Sequence, residues 1–369
     1  MKVVLFIGHH KVGSSSLQEF LSQNSIRLLK SRILYPAVEA QGLSVLLAKA
    51  LQGKDNVETL PINAREAHNA LAFTMLTEET GGAMPNFHAG LPHSNQMFRT
   101  IQQQINMLQP KAVILTAEVF ANFAPRSTSL IDRLATFFQG ADIRVIATFR
   151  RIDDYLASWH GQRLRFGQKV NPLRAVGIGP YRNSIHFDYK KMLDGWCKTV
   201  PQAEFILRNY SDVLANGGSV KDFIASSGLK FPRGLLPVRQ ANESLHRGMV
   251  EIARRGNHQL DQPDARLLRQ VLGLKTPALN LPASGDVELF GAEHRENMVN
   301  TFELVHDYIG QVAGRQPFFP DMEEARTTRP YAEIEVATDA LDQLQRLSGD
   351  IGNAVVHDFL KSLDLRQET

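Results

Sequence analysis

Four short runs rich in apolar and β-branched residues punctuate the chain: "VVLFI" at 3–7, "KAVILTA" at 111–117, "IRVIATF" at 143–149 and "AEFILRN" at 203–209. Each is nearly continuous, the pattern of a strand covered on both faces. Between them apolar residues return at helical spacing. "SLQEFLSQNSIRLLK" (16–30) follows the first run and "SLIDRLATFFQG" (129–140) precedes the third. "DDYLASWHGQRLRFG" (153–167) follows the third, and "YKKMLDGWCKTV" (189–200) precedes the fourth. Ser129 is the expected N-cap of the helix at 129–140, and Gly140 its stop. Strands alternating with helices predict an α/β fold with a parallel sheet and right-handed crossovers.

Residues 36–110 interrupt this alternation with a long insertion, helical in "LSVLLAKALQG", "AREAHNALAFTMLTEE" and "NQMFRTIQQQINML" and broken by "GGAMPNFHAGLPHSN". Long insertions in compact domains are often lids or binding loops. After about residue 246 the strand pattern fades into helices joined by Pro/Gly loops such as "KTPALNLPASGD" and "GRQPFFPD". The expected organisation is therefore an α/β core over 1–245, carrying the insertion as a lid over the acceptor, and a helical C-terminal extension over 246–369.

Composition narrows the class. The chain has 369 residues, is 43% hydrophobic and carries a net charge of +3. Its basic residues are spread along the chain and not gathered into a stripe, which argues against a nucleic-acid partner. The single cysteine, Cys197, has no internal partner for a disulfide, which suits a reducing compartment. No apolar run reaches the roughly eighteen residues that a membrane span requires. "KVVLFI" is too short for a signal peptide, so the expected location is cytoplasmic.

The chemistry gathers at "IGHHKVGSSSLQ" (7–18), where the first strand runs through a Gly/Ser turn into a helix. Backbone amides converge at such a helix start, and the helix dipole adds positive potential, so an anion is held there. The spacing of Gly8 and Gly13 is that of G-x-x-x-x-G-K-[ST], but Ser14 stands where the lysine belongs, and the only lysine of the loop is Lys11. From that side an ammonium reaches a group attached to the phosphate and can stabilise charge on a bridging oxygen during transfer. The bland alternative is an ordinary βα turn capped by Ser14 or Ser15.

"HHKVGSSSLQ" resembles the 5′-phosphosulfate loop of the sulfotransferases, and most closely the bacterial form K-T-G-[ST]-[ST]-S-L-Q. That family takes a sulfuryl group from 3′-phosphoadenosine 5′-phosphosulfate (PAPS) and uses no metal. The resemblance implies a three-layer, P-loop-like sheet with Lys11, Val12, Gly13, Ser14, Ser15 and Ser16 around the 5′-phosphosulfate. It also implies a second site for the 3′-phosphate, an arginine at a strand end and a serine eight residues on. Arg150 and Ser158 have that spacing, Asp154 matches an acidic position between them, and Arg151 is a neighbouring substitute. "RILYP" (32–36), "VRQANESL" (238–245) and "MVEIARRGNHQL" (249–260) resemble further segments of the bacterial group, with Asn242 and Ser244 as candidates for closing the nucleotide pocket. An ordinary N-cap at Ser244 is an equal reading.

A transferase needs a base for the acceptor hydroxyl. Glu118, just past the second predicted strand, falls where the bacterial group often has S-x-E; here the segment is Thr116-Ala117-Glu118. A capping or ion-pairing role with Lys11 or Arg150 is the alternative. His9 and His10 are rival bases, and His88 and His93 are candidates for lining the acceptor site. Arg163 and Arg165 would suit an acidic sugar or a solvated face. The function expected is sulfuryl transfer from PAPS to a hydroxyl or amine of a carbohydrate or related small molecule. A P-loop kinase or NTPase is the alternative enzyme; it lacks the Walker lysine and has only Glu118 and Asp142 as weak magnesium ligands. A non-catalytic nucleotide- or sugar-binding module is the third reading.

Overall fold

A computed structural model describes residues 1–52, 60–238, 244–347 and 352–366. Its central element is a five-stranded, fully parallel sheet, β1 (Lys2–Phe6), β2 (Ile33–Leu34), β3 (Ala112–Thr116), β4 (Asp142–Phe149) and β5 (Glu204–Asn209), in the order β2-β3-β1-β4-β5. The four apolar runs form β1, β3, β4 and β5. The short edge strand β2 arises inside "RILYP", where two residues carry no periodic signal. In register, Val3 lies beside Val113 and Ile143, and Leu5 beside Leu115 and Val145.

Helices flank the sheet. Even-numbered side chains of β1, Val4 and Phe6, pack with Ile114 and Ile146 against Leu17, Phe20 and Leu21 of α1 (Ser14–Gln23), Leu28 of α2 (Ser25–Lys30) and Phe223. Odd-numbered ones, Val3, Leu5, Val113, Leu115 and Val145, are also 0–2% exposed, so the opposite face is covered too. Continuous hydrophobicity follows from this two-sided burial.

The helix expected over 16–30 is two helices. Asn24 separates them: its side chain donates to the Phe20 and Leu236 carbonyls and accepts from the Leu236 amide at 2.8 Å. The insertion forms α3 (Ala40–Gln52), α4 (Ile62–Arg65), α5 (Ala67–Thr80) and α6 (Ser94–Leu108). The helix Thr128–Phe137 is capped by Ser127 and not by Ser129: Ser127 has the extended backbone a cap needs, and its side chain accepts from the Ser129 amide. Gly140, at φ 79°, stands past its end as expected.

The chain divides into two compact units that interleave along the sequence. One comprises Met1–Arg150, Asp188–Ala241 and Val305–Phe319 and holds the whole five-stranded sheet; the other comprises Arg151–Phe187, Asn242–Leu304 and Pro320–Thr369. The second is mainly helical, with a core of Met249, Ile252, Leu268, Leu272, Leu341, Leu344, Phe359 and Leu360. It also contains β6 (Val287–Glu288) and β7 (Tyr331–Ala332), a two-residue parallel pair where no strand was expected. Among the described residues no helix is long and apolar enough to cross a membrane.

Candidate functional site

The loop between β1 and α1 is pinned to the neighbouring strand. The Ile7 amide donates to Ile146 O, His9 to Thr148 O, and Thr148 back to Gly8 O at 2.7 Å. Lys11 and Gly13 then take positive φ, 62° and 83°, which turns the chain into α1. A side chain at Gly13 would strike Ser219, whose Oγ lies 2.7 Å from the Cβ position and donates to Gly13 O. No side chain caps α1, so its first amides stay directed out of the helix start, where an anion is favoured. Val12 is the exception among the loop candidates. Its side chain is 1% exposed in the core with Phe6 and Leu17, so it anchors the loop and only its backbone can face a ligand. Ser15 is exposed and Ser16 half-buried, while the Ser14 hydroxyl bonds to Glu118.

Glu118 begins a short 3-10 turn directly after β3, packed so close to Gly8 that a Cβ there would lie 3.2 Å from the Glu118 Cα. Its carboxylate is gripped from two elements. Gln18 of α1 donates Nε2–H to Oε2 at 3.0 Å, and Asn69 of α5 donates Nδ2–H to Oε1 at 3.1 Å. Both amides are buried, at 0% and 2% exposure. Burial, then the nearby Glu66 carboxylate, raises the Glu118 carboxyl above its ordinary value, against the hydrogen bonds from its own backbone amide, Asn69 and Ser14. His68 supports the strand end: its Nδ1 accepts from the Thr116 amide, and its Nε2 bonds to Pro36 O. Tyr35, from "RILYP", bonds Thr116 Oγ1 at 3.0 Å.

The candidate histidines stand in other surroundings. His10 is pushed down to about 4 by burial and by the Lys11 charge, and its Nε2 faces the Asn122 amide at 3.4 Å. His9 is buried between Phe149 and Tyr189, with Nδ1 accepting from the His10 amide. His88 Nδ1 bonds Asn63 Oδ1 at 2.8 Å, and burial lowers its proton affinity. His93 caps α6.

Arg150 lies just past β4 on the loop side. Its Nη1 donates to Lys11 O at 3.2 Å, its guanidinium lies over the Tyr210 ring at 4.8 Å, and its buried Nε has no hydrogen-bond partner among the described residues. Tyr189 fixes its carbonyl. Tyr210 and Ser219 were not singled out from the sequence. The only clue was their position after β5 and at the glycine pair Gly217-Gly218, and neither carries a motif of its own. Ser158 and Asp154 belong to the other compact unit. There the Ser158 Oγ is buried without a partner among the described residues, and Asp154 accepts from Arg247. Arg151 is no substitute for Arg150: it is 6% exposed and consumed by Asp153, Asp321 and Glu324. Arg163 bonds Gln168 and Tyr181. Asn242 lies outside the described residues. Ser244 is exposed and is no cap, because the following turn is capped by His246. Asp142 starts β4 beside Lys2, at the opposite end of the strands from the loop. No cluster of three or more His, Cys, Asp or Glu side chains suited to a metal occurs among the described residues.

The fold and site thus define an α/β protein with a glycine-and-serine loop at the carboxyl end of its central strand and a buried carboxylate alongside. No family model, curated protein or solved structure matches the chain.

Proposed function

We propose that the chain transfers a sulfuryl group from PAPS to a hydroxyl of a carbohydrate or related small molecule. The observation that carries this reading is the joint placement of Lys11 and Glu118 around one anion loop: Lys11 at φ 62° ahead of the helix start, and Glu118 against Gly8 on the loop's flank. The amides of Gly13 to Ser16 receive the 5′-phosphosulfate. Lys11 donates to the bridging oxygen as the sulfur–oxygen bond to phosphate breaks. Glu118 takes the proton of the acceptor hydroxyl as its oxygen bonds to sulfur. A carboxylate has about four lone-pair positions; Gln18, Asn69, Ser14 and the Glu118 backbone amide use them, so the acceptor hydroxyl displaces one of these neutral donors. Arg150, which touches the loop through Lys11 O and whose buried Nε has no partner among the described residues, is the cation offered to a second phosphate.

The test needs no knowledge of the acceptor. Adenosine 3′,5′-bisphosphate should raise the melting temperature more than AMP or ATP-Mg, and Arg150→Ala should erase the advantage over AMP. Equal stabilisation of the wild type by all three would sink the two-phosphate reading. Transfer of label from ³⁵S-PAPS to a panel of sugars then identifies the acceptor.

A further inference from the structure

We propose that Glu66, acting through Asn69, is a positioning residue for Glu118. This rests on the reading of Glu118 as the proton acceptor. Asn69 Nδ2 is shared: it donates to Glu118 Oε1 at 3.1 Å and to Glu66 Oε2 at 3.4 Å. One amide group therefore sets the spacing of two carboxylates. Glu66 sits at the junction of α4 and α5, and its other oxygen is paired with Arg65 at 2.8 Å. Its side chain is 15% exposed, so its charge is only partly screened by water.

The two carboxylates differ in their company. Glu66 has the Arg65 guanidinium as counter-charge. The hydrogen-bond donors to Glu118 among the described residues are neutral: Gln18 and Ser14 from α1, Asn69 from α5 and its own backbone amide. Tyr35, on the segment after β2, and His88, beyond α5, are the other titratable groups coupled to this pair, Tyr35 to both carboxylates and His88 to Glu66 and Arg65. Like charge behind a buried carboxylate favours its protonated form, while a donated hydrogen bond favours the ionised form. Glu66 and Asn69 thus act on Glu118 in opposite directions. The insertion supplies both, so the segment expected to shape the acceptor site also sets the strength and aim of the base.

Carboxyl-carbon NMR titration of the full chain tests this without any acceptor, the Glu118 signal being assigned by its loss in Glu118→Gln. Glu66→Gln should lower the Glu118 midpoint, and Asn69→Ala should raise it; Glu66→Asp should restore part of the shift. A residue that only holds the fold together would move neither, or both in one direction, and either result overturns the proposal. Melting curves confirm that each variant is folded. Where transfer is measured, Asn69→Ala should cut kcat about 10²-fold with the KM for PAPS unchanged, the scale of an approximately 1 Å misplacement. The transferase reading fails on a different observation, label that moves from PAPS to no acceptor at all.

Discussion

Gly13→Ala isolates the geometry on which the anion loop depends. Two costs arise from separate features. The backbone at φ 83° is left-handed, which costs a residue with a Cβ about 1–2 kcal/mol. The new methyl would also sit 2.7 Å from Ser219 Oγ and 3.0 Å from Ser219 Cβ, an overpacked contact worth about 1–3 kcal/mol. The sum is about 2–5 kcal/mol. In a Ser219→Gly background the overpacking disappears and only the backbone share, about 1–2 kcal/mol, remains. Urea unfolding of wild type, both single variants and the double variant closes the cycle. The coupling between the two sites should be about 1–3 kcal/mol in the favourable direction. Affinity for adenosine 3′,5′-bisphosphate should fall in both Gly13→Ala proteins, because the amides following residue 13 are re-aimed whether or not the contact is relieved. A Gly13→Ala variant that costs under about 0.5 kcal/mol, or that costs the same with and without Ser219, would refute the reasoning.

Lys11→Ala should lower kcat by about 10²- to 10³-fold, about 3–4 kcal/mol in barrier, with bisphosphate affinity little changed; loss of binding with turnover intact at saturation would make Lys11 an anchor only. The pH–rate profile separates the two bases. Each must be deprotonated to work, so activity is lost as pH falls, above pH 4.5 for the raised Glu118 carboxyl and near 4 for His10; a limb at 4 that survives Glu118→Gln would assign the base to His10. In the second unit, burial and then the neighbouring charges, with Arg174 opposing and Glu251 assisting, push Glu333 up to about 7. A raised carboxyl contributes stability that is present below its unfolded value and lost as pH rises through the folded one. Glu333→Gln should therefore be more stable than wild type at pH 8, by at most about 3 kcal/mol, and indistinguishable from it near pH 4; thermal melts at the two pH values decide.

Continuity of apolar residues made β1, β3, β4 and β5 legible to within a residue, since strands covered on both faces leave an unmistakable run. Two-residue strands leave none, which is why β2, β6 and β7 were missed. The strand–loop–helix turn was legible because its signal is local: glycine, lysine and serine stand within ten residues of one another. The support of Glu118 was not. Gln18 lies 100 residues before it and Asn69 49 residues before it, and an amide in a helix has no pattern that announces its partner. Arg150 and Arg151 illustrate the same limit. Adjacent in sequence, they differ because Arg151 meets carboxylates 170 and 173 residues away.

The placement of β1 in the middle of the sheet has a consequence for how the chain acquires its form during synthesis. Its partners lie 110 residues later in β3 and 140 residues later in β4, Val3 facing Val113 and Ile143. At about 5–20 residues per second, roughly 7–30 s separate the emergence of β1 from that of β4. Until β3 emerges both edges of this apolar strand are unpaired, and one edge stays open until β4 arrives, the state most exposed to wrong association. The anion loop waits with it, because the amides of Ile7 and His9 find their acceptors only when Ile146 and Thr148 have arrived. Slowing translation between residues 30 and 140 should therefore lower soluble yield, and a permutant that places β3 and β4 before β1 should recover it.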